Sequence, residues 1–325
     1  MANTKDGPAA DRIENRTFDK RPHLHQLLEA AKRREPLRVA VVHPVDGPSL
    51  LGALEASEEQ LIEPILVGPE ARIRAAAEEL EADLAPYRLV PTEHSHEAAE
   101  RAVALVRAGD AEVLMKGSLH TDELMGAVVA KEGGLRTDRR LSHVFAFDVP
   151  TYPRALFITD AAINIYPTLE DKRDIVQNAI DLAHGLGIRT PHVAILSAVE
   201  TVTTKIHSTL EAAALCKMAE RKQIKGGVLD GPLAFDNAVS EAAARTKGIE
   251  SPVAGRADIL VVPDLEAGNM LAKQLEYLAG AQAAGIVLGA RAPIILTSRA
   301  DDAITRMASC AIALLLVHHH RRALA

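Results

Sequence analysis

Residues 37–67, LRVAVVHPVDGPSLLGALEASEEQLIEPILV, hold a complete strand–helix–strand unit. Residues 37–43 are a nearly continuous apolar run rich in valine, the pattern of a strand buried on both faces. Residues 49–58 read as a helix and 62–67 as the next strand. The unit continues on both sides. A helix over 24–34 ends at Pro36, and beyond residue 67 come a helix over 70–80, a strand over 87–90, a helix over 96–108 and a strand over 113–115. Strands alternating with helices in this way predict a parallel sheet covered by helices on both faces.

The same alternation returns downstream. Strands are predicted at 143–149, 154–159, 192–197, 226–230, 259–262, 285–288 and 294–297, and helices at 170–186, 209–221, 236–246, 268–281 and 301–316. The 325 residues suffice for two domains with cores of their own. No repeat, low-complexity tract or Gly/Ser linker interrupts the chain, so two lobes would not be joined by a loose tether. Residues 1–20 are polar, carry charges of both signs and read as a flexible arm rather than a secretory signal.

Composition narrows the function. Tryptophan is absent and aromatic residues are 3% of the chain, so the core is aliphatic and the stacking platform for single-stranded nucleic acid is missing. The net charge of -7 excludes phosphate-backbone binding as a global property. Cys216 and Cys310 stand far apart and outside any CxxC, which fits a reducing compartment and no zinc site. The apolar run 307–317 is shorter than the ~20 residues that a membrane span needs. The expectation is a cytoplasmic protein with no nucleic-acid or membrane partner and no bound metal. His318–His320 read as an exposed helix end.

Ligands of α/β sheets collect beyond the carboxyl ends of strands. Five strand ends here run into polar turns: Lys116-Gly117-Ser118-Leu119-His120-Thr121, Thr159 to Asn164, Asp230-Gly231-Pro232, Pro263 to Asn269, and Thr297 to Asp302. Each turn alone is equally well read as a helix cap. Together they predict a shared rim that faces a ligand. Thr297-Ser298-Arg299-Ala300-Asp301-Asp302 is the richest. A helix start offers free N–H groups to an anion, and an arginine adds a bidentate clamp for phosphate. A serine beside it can donate to a carbonyl oxygen as its charge grows. The chain has no P-loop spacing, no GxGxxG after the first strand and no GxSxG.

The stretches LMKGSLHTDELM (114–125), GLRTDRRLSHVFAFDVP (134–150), ITDAAINIYPTLEDK (158–172), VLDGPLAFDNAVS (228–240), SPVAGRADILVVPDLEAGN (251–269) and GARAPIILTSRADD (289–302) resemble the phosphate acetyl/butyryltransferase family. The resemblance covers about two-thirds of the chain and is nearest the butyryltransferase-like branch and the acetyltransferase modules fused to a hydratase. It implies a phosphate acyltransferase that moves a short acyl group between coenzyme A and phosphate. It implies two α/β/α lobes with an interlobe cleft, as in isocitrate and isopropylmalate dehydrogenases, and a homodimer. The lobes would be 21–147 with 285–325, and 148–284. Coenzyme A would be a substrate, with no permanently bound cofactor.

Carried over position by position, the family's Ser-Arg pair falls on Ser298 and Arg299; Asp301 or Asp302 of the same turn is the candidate base from the turn's composition, either one equally able to cap the helix. Its His-Thr turn falls on His120 and Thr121, its cleft serine on Ser142, and its Asp and Asn on Asp160 and Asn164. The substrate-binding set is completed by Lys116, Gly117, Ser118, Arg136, Asp230, Gly231 and Asn269. Two positions depart from classical acetyltransferases. Met125 stands where they carry an arginine, for which Arg136 or Arg140 is a substitute, and Thr305 stands where they place an aspartate.

Two rival readings differ in class. A metal-dependent decarboxylating dehydrogenase would need a carboxylate cluster, and the segment from Asp236 supplies only Glu241 nearby. A binding protein that kept the cleft but lost turnover would fit the two departures.

Overall fold

The computed structural model describes residues 22–296 and 303–324. The first half builds α1 (Pro22–Lys32), β1 (Leu37–Val42), α2 (Gly47–Glu58), β2 (Ile62–Gly68), α3 (Glu70–Glu79), β3 (Arg88–Pro91), α4 (Ser95–Ala108), β4 (Val113–Lys116) and α5 (Thr121–Val128). The middle builds β5 (Ser142–Asp148), β6 (Leu156–Thr159), α6 (Leu169–Gly185), β7 (His192–Leu196), α7 (His207–Glu220), β8 (Val228–Leu233), α8 (Phe235–Val239), α9 (Glu241–Thr246), β9 (Ile259–Val261) and α10 (Leu265–Leu278). The end builds β10 (Gln282–Leu288), β11 (Ile294–Ile295) and α11 (Ala303–Leu324).

Most elements match the sequence expectation to within a few residues, and four differ. The helix expected over 236–246 is two short ones, because the Ser240 hydroxyl accepts from the Ala243 N–H at 3.2 Å and starts a new helix. Helix α5 was not expected; its signals are acidic Asp122 and Glu123 in the first turn and buried Leu124 and Val128 four apart. Strand β8 runs on to Leu233 through Pro232, which an edge strand tolerates. Helix α11 continues to Leu324, and the His318 Nε2 lies 2.9 Å from the Glu35 carbonyl.

Among the described residues, eleven strands form one sheet in the order β3-β2-β1-β4-β11-β10-β5-β6-β9-β7-β8. Strands β3, β2, β1, β4 and β11 are mutually parallel. Antiparallel pairing at β11–β10, β10–β5 and β5–β6 then reverses the sheet. Strands β6, β9, β7 and β8 are again parallel to each other but opposed to the first set. The carboxyl ends of β4 and β11 therefore point to one edge, and those of β6, β8 and β9 to the other. The four polar turns among the described residues do not share one rim: the reversal in the middle of the sheet puts the turn after β4 at one edge and those after β6, β8 and β9 at the other.

The two faces are covered differently. On one face a single apolar cluster runs across both halves, with α1, α2 and α3 at one end, α6 and α7 at the other, and α11 between them. Leu316 of α11 lies so close to Gly185 that an added Cβ there would sit 2.9 Å from its Cδ1. On the other face two separate clusters form. One lies under α4 and α5 and includes Val287 and Ile294. The other lies under α8, α9 and α10 and includes Ala283 and Phe147. Between them the central strands β10 and β5 carry Gly285 and His143, which belong to neither cluster.

Candidate active site

Helix α5 and the segment after α5 enclose a groove of ≈ 520 Å³. Its apolar lining is Met125 of α5, Val129 just past that helix, Leu141 and Ile163. Its charged lining is Arg136, Arg139 and Arg140 with Asp138, Asp171 and Asp174. Two of the arginines are tied. Arg139 pairs with Asp181, and Arg140 Nε donates to Asn164 Oδ1 at 2.7 Å with Asp171 at 3.6 Å. Arg136 is exposed and makes no ion pair with any described residue. An unpaired guanidinium beside an apolar lining suits a ligand with an anionic end and a short hydrocarbon end. Met125 and Arg136 both line this groove.

Behind the groove lies a buried polar corner built on Asp160 and Asn164, which are 3% and 2% exposed. Asp160 Oδ1 accepts from the N–H groups of Ala162 and Ile163 at 2.9 and 3.0 Å. Its Oδ2 accepts from the His143 N–H, the Asn164 N–H and Asn164 Nδ2, the last at 2.6 Å. Burial pushes the Asp160 carboxyl above its ordinary range, while these donors pull it down. Asn164 Nδ2 also donates to the Leu141 carbonyl at 2.7 Å. Asn269 closes the corner from α10, its Nδ2 donating to the Ala161 carbonyl at 3.2 Å. Asp160, Asn164 and Asn269 thus hold Arg140, the start of β5 and α10 together. Ser142 is fully buried, and its hydroxyl accepts from Asn178 Nδ2 at 2.9 Å.

The other turn caps the far end of α5. Lys116 is buried with its Nζ 3.4 Å from the Gly117 carbonyl. A side chain at Gly117 would collide with the backbone of Val42 and His43, so only glycine fits there. His43 fixes Ser118: its Nδ1 lies 2.8 Å from the Ser118 carbonyl, and the Ser118 N–H donates to the His43 carbonyl at 2.9 Å. His120 is the exposed residue at the start of α5, and Thr121 begins the helix. Eight residues of helix, on the order of 12 Å, separate this turn from the Arg136 end of the groove.

Asp230 and Gly231 are elsewhere. They lie on β8 at the edge of the sheet, six strands from β11 and on the order of 29 Å along it. Ser298, Arg299, Asp301 and Asp302 lie outside the described residues. The chain enters that segment from Leu296, which packs against the cluster under α4 and α5, and leaves it at buried Ala303. Neither cysteine is an activated nucleophile, since burial pushes both thiols up to about 12.

Sequence reading missed His143, hidden in the apolar run of β5. It is 1% exposed, and its Nδ1 has no hydrogen-bond partner among the described residues. Burial pushes its imidazole down to about 3. The unfolded chain titrates this group near ~6.5, so stability is lost as pH falls through that value and the loss levels off near the folded value. Between pH 7 and 5 the loss is about 2 kcal/mol. Urea unfolding of wild type and His143→Gln at both pH values is expected to show that excess loss in wild type alone. Equal acid sensitivity of the two would mean that the imidazole takes up a proton inside the fold.

Comparison with known proteins follows the same lines. The sequence pattern of the family described as "Phosphate acetyl/butaryl transferase" matches residues 92–314. The chain is 64% identical over 298 residues to a phosphate acetyltransferase of Rhizobium meliloti, covering 92% of this chain and 94% of that one. It is 43% identical to a phosphate butyryltransferase of Clostridium beijerinckii, covering 92% of this chain and 99% of the relative. Among solved structures, a branched-chain phosphotransacylase from Enterococcus faecalis V583 superposes with a TM-score of 0.77 at 31% identity, covering 87% of this chain and 100% of that one.

Proposed function

The chain belongs to the phosphate acetyl/butyryl transferase family and carries that acyltransferase activity; from this premise we propose that transfer takes place by direct attack of the coenzyme A thiolate on an acyl phosphate in an interlobe cleft, of which the groove between α5 and residues 136–174 forms one part. The observation that carries the reading is the pairing of unpaired Arg136 with an apolar lining in one groove of ≈ 520 Å³. The guanidinium takes a phosphate, and Met125, Val129, Leu141 and Ile163 take the acyl chain.

In the proposed step the thiolate sulfur bonds to the carbonyl carbon, the tetrahedral oxyanion collapses, and the carbon–oxygen bond to phosphate breaks. The thiol proton passes to Asp301 or Asp302. A free thiol has a pKa near ~8.5, so a neighbouring base raises the small thiolate fraction at neutral pH. Ser298 donates to the oxyanion, and Arg299 neutralises the leaving phosphate. No covalent enzyme intermediate is required, and the raised cysteine thiols support that. Lys116, Gly117, Ser118, His120 and Thr121 form the second anion-binding turn for coenzyme A.

Further parts of the proposal concern organisation. The chain divides into a lobe of 21–147 with 285–325 and a lobe of 148–284, the arrangement of isocitrate and isopropylmalate dehydrogenases. The reversal of the sheet and the two separate clusters on one face support this division. The protein acts as a cytoplasmic homodimer, a state supported by exposed Met270, Tyr277 and Leu278 along α10. Among the described residues, no helix is long and apolar enough to cross a membrane.

The test is release of free thiol from acetyl, propionyl and butyryl coenzyme A, with phosphate present and absent, followed with a thiol reagent. Thiol release that depends on phosphate is expected, with successive methylenes altering kcat/KM by factors that correspond to ~1–3 kcal/mol each. Release independent of phosphate, or none from any of the three, would remove the acyltransfer reading.

A further inference from the structure

Residues 137–141 belong to no helix or strand, yet their backbone is gripped from several sides. Just before them, Arg136 forms an antiparallel bridge with Ala290. Thr137 Oγ1 donates to the Gly289 carbonyl at 2.5 Å. Arg140 is held most firmly. Its N–H donates to Asp174 Oδ2 at 3.0 Å, and its carbonyl accepts from Asn178 Nδ2 at 3.0 Å, both from α6. Its Nε donates to Asn164 Oδ1 at 2.7 Å. Gly289 closes over the same carbonyl, with φ +90°, and a Cβ there would lie 2.3 Å from that oxygen. Only glycine lets the two segments approach so closely.

This grip leaves the outer end of the side chain free. Neither Nη of Arg140 makes a hydrogen bond with any described residue, and the side chain is 54% exposed while lining the groove with Arg136. The carboxylates nearby are engaged elsewhere. Asp171 Oδ2 accepts from the Thr168 N–H and hydroxyl at 3.0 and 2.9 Å, and Asp174 Oδ1 accepts from Arg173 Nε and Nη2 at 3.0 and 2.9 Å. The nearest oxygen left, Asp171 Oδ1, stands 3.6 Å from Arg140 Nε. Asn164 and Asn178, which do the holding, are 2% and 3% exposed. Two buried amides and a helix carboxylate thus fix one half-exposed arginine at its N–H, its carbonyl and its Nε.

An arginine on a solvated surface gains little from such support, because its charge is already met by water. Support of this kind serves a guanidinium that must be in place before a ligand arrives, since less freedom is then lost on binding. We propose that Arg140 is a further substrate-binding residue, whose two free Nη groups grip the phosphate group of inorganic phosphate or of the acyl phosphate together with Arg136. Asn164 and Asn178 are its positioning residues. Two guanidiniums in one groove meet a doubly charged phosphate with more donors than either supplies alone. The role rests on the groove being part of the transfer site, as proposed above.

Arg140→Gln separates gripping a ligand from tying the segment. Its amide still reaches Asn164 as a donor, but the charge and the fork are gone. Steady-state kinetics with acetyl coenzyme A and inorganic phosphate are expected to show KM for phosphate raised by at least about fivefold, with KM for acetyl coenzyme A changed little. A smaller rise in KM for phosphate would mean that Arg140 only ties the segment, and overturns the proposal. A rise in KM for acetyl coenzyme A alone overturns it too, since the fork would then serve coenzyme A. Should Arg140→Gln not fold, Arg140→Lys provides the second reading: it keeps the stem and the charge without the fork, and an unchanged KM for phosphate there overturns the proposal. Arg136→Gln is run beside them. Wild-type KM for phosphate in both glutamine variants sinks the groove itself as a phosphate site. A raised KM in Arg136→Gln beside a normal Arg140→Gln sinks only the role of Arg140.

Discussion

Arg299→Ala is expected to lower kcat by about a hundredfold to a thousandfold while leaving the fold intact. The reason lies in where charge develops. As the acyl carbon–oxygen bond breaks, the departing phosphate gains negative charge, and a guanidinium with two parallel N–H donors meets it better than water does. Arg136 lines the groove, and in the proposed site it would retain part of the binding of phosphate. The larger effect should therefore fall on kcat and the smaller on KM for phosphate. Arg299→Lys should recover only part of the loss, because an ammonium is a point charge without the fork. Steady-state kinetics of the three proteins, with circular dichroism to confirm folding, decide the matter. An alanine variant with near-normal turnover would show that Arg299 is not the group that meets the leaving phosphate.

The fold was readable in the sequence where pairing is local. The run at residues 37–43 and the helix and strand after it form a βαβ unit whose partners are the next elements along the chain, and β1 does pair in parallel with β2. The reversal of the sheet was not readable. Strand β10 lies between β11 and β5, and its apolar run looks the same whether its neighbour runs with it or against it. That order comes from contacts more than a hundred residues apart, such as Gln282 opposite Asp148. The site followed the same division. The Asp160 to Asn164 turn announced itself by composition, but its carboxylate is occupied by its own loop and by β5, which only the folded chain reveals. Asp230 and Gly231 had the same composition and lie on the outer strand. His143 gave no signal, because one polar residue in an alternating apolar run reads as the surface end of a strand.

Asp160→Ala should be the most destabilising single change in the corner. Five donors converge on this one carboxylate: the N–H groups of His143, Ala162, Ile163 and Asn164, and the Asn164 side chain. Removing a buried acceptor leaves its donors without partners at about 1–3 kcal/mol each if none relaxes. Full additivity would exceed what most domains can lose and still fold, and some of these N–H groups will find water. A loss of about 3–5 kcal/mol is expected, as for other broken buried polar networks. Asp160→Asn should lose less, since its carbonyl oxygen still accepts while its amide now faces donors. The damage should also reach the groove, because Asn164 is the group that holds Arg140 Nε at 2.7 Å and the Leu141 carbonyl. Any folded alanine variant is therefore expected to bind phosphate more weakly as well. Urea unfolding at pH 7 measures the first effect and KM for phosphate the second. A variant that loses under about 1 kcal/mol would mean that the donors do not depend on this carboxylate. Holding β5, Arg140 and α10 in register would then fall to the apolar packing around them.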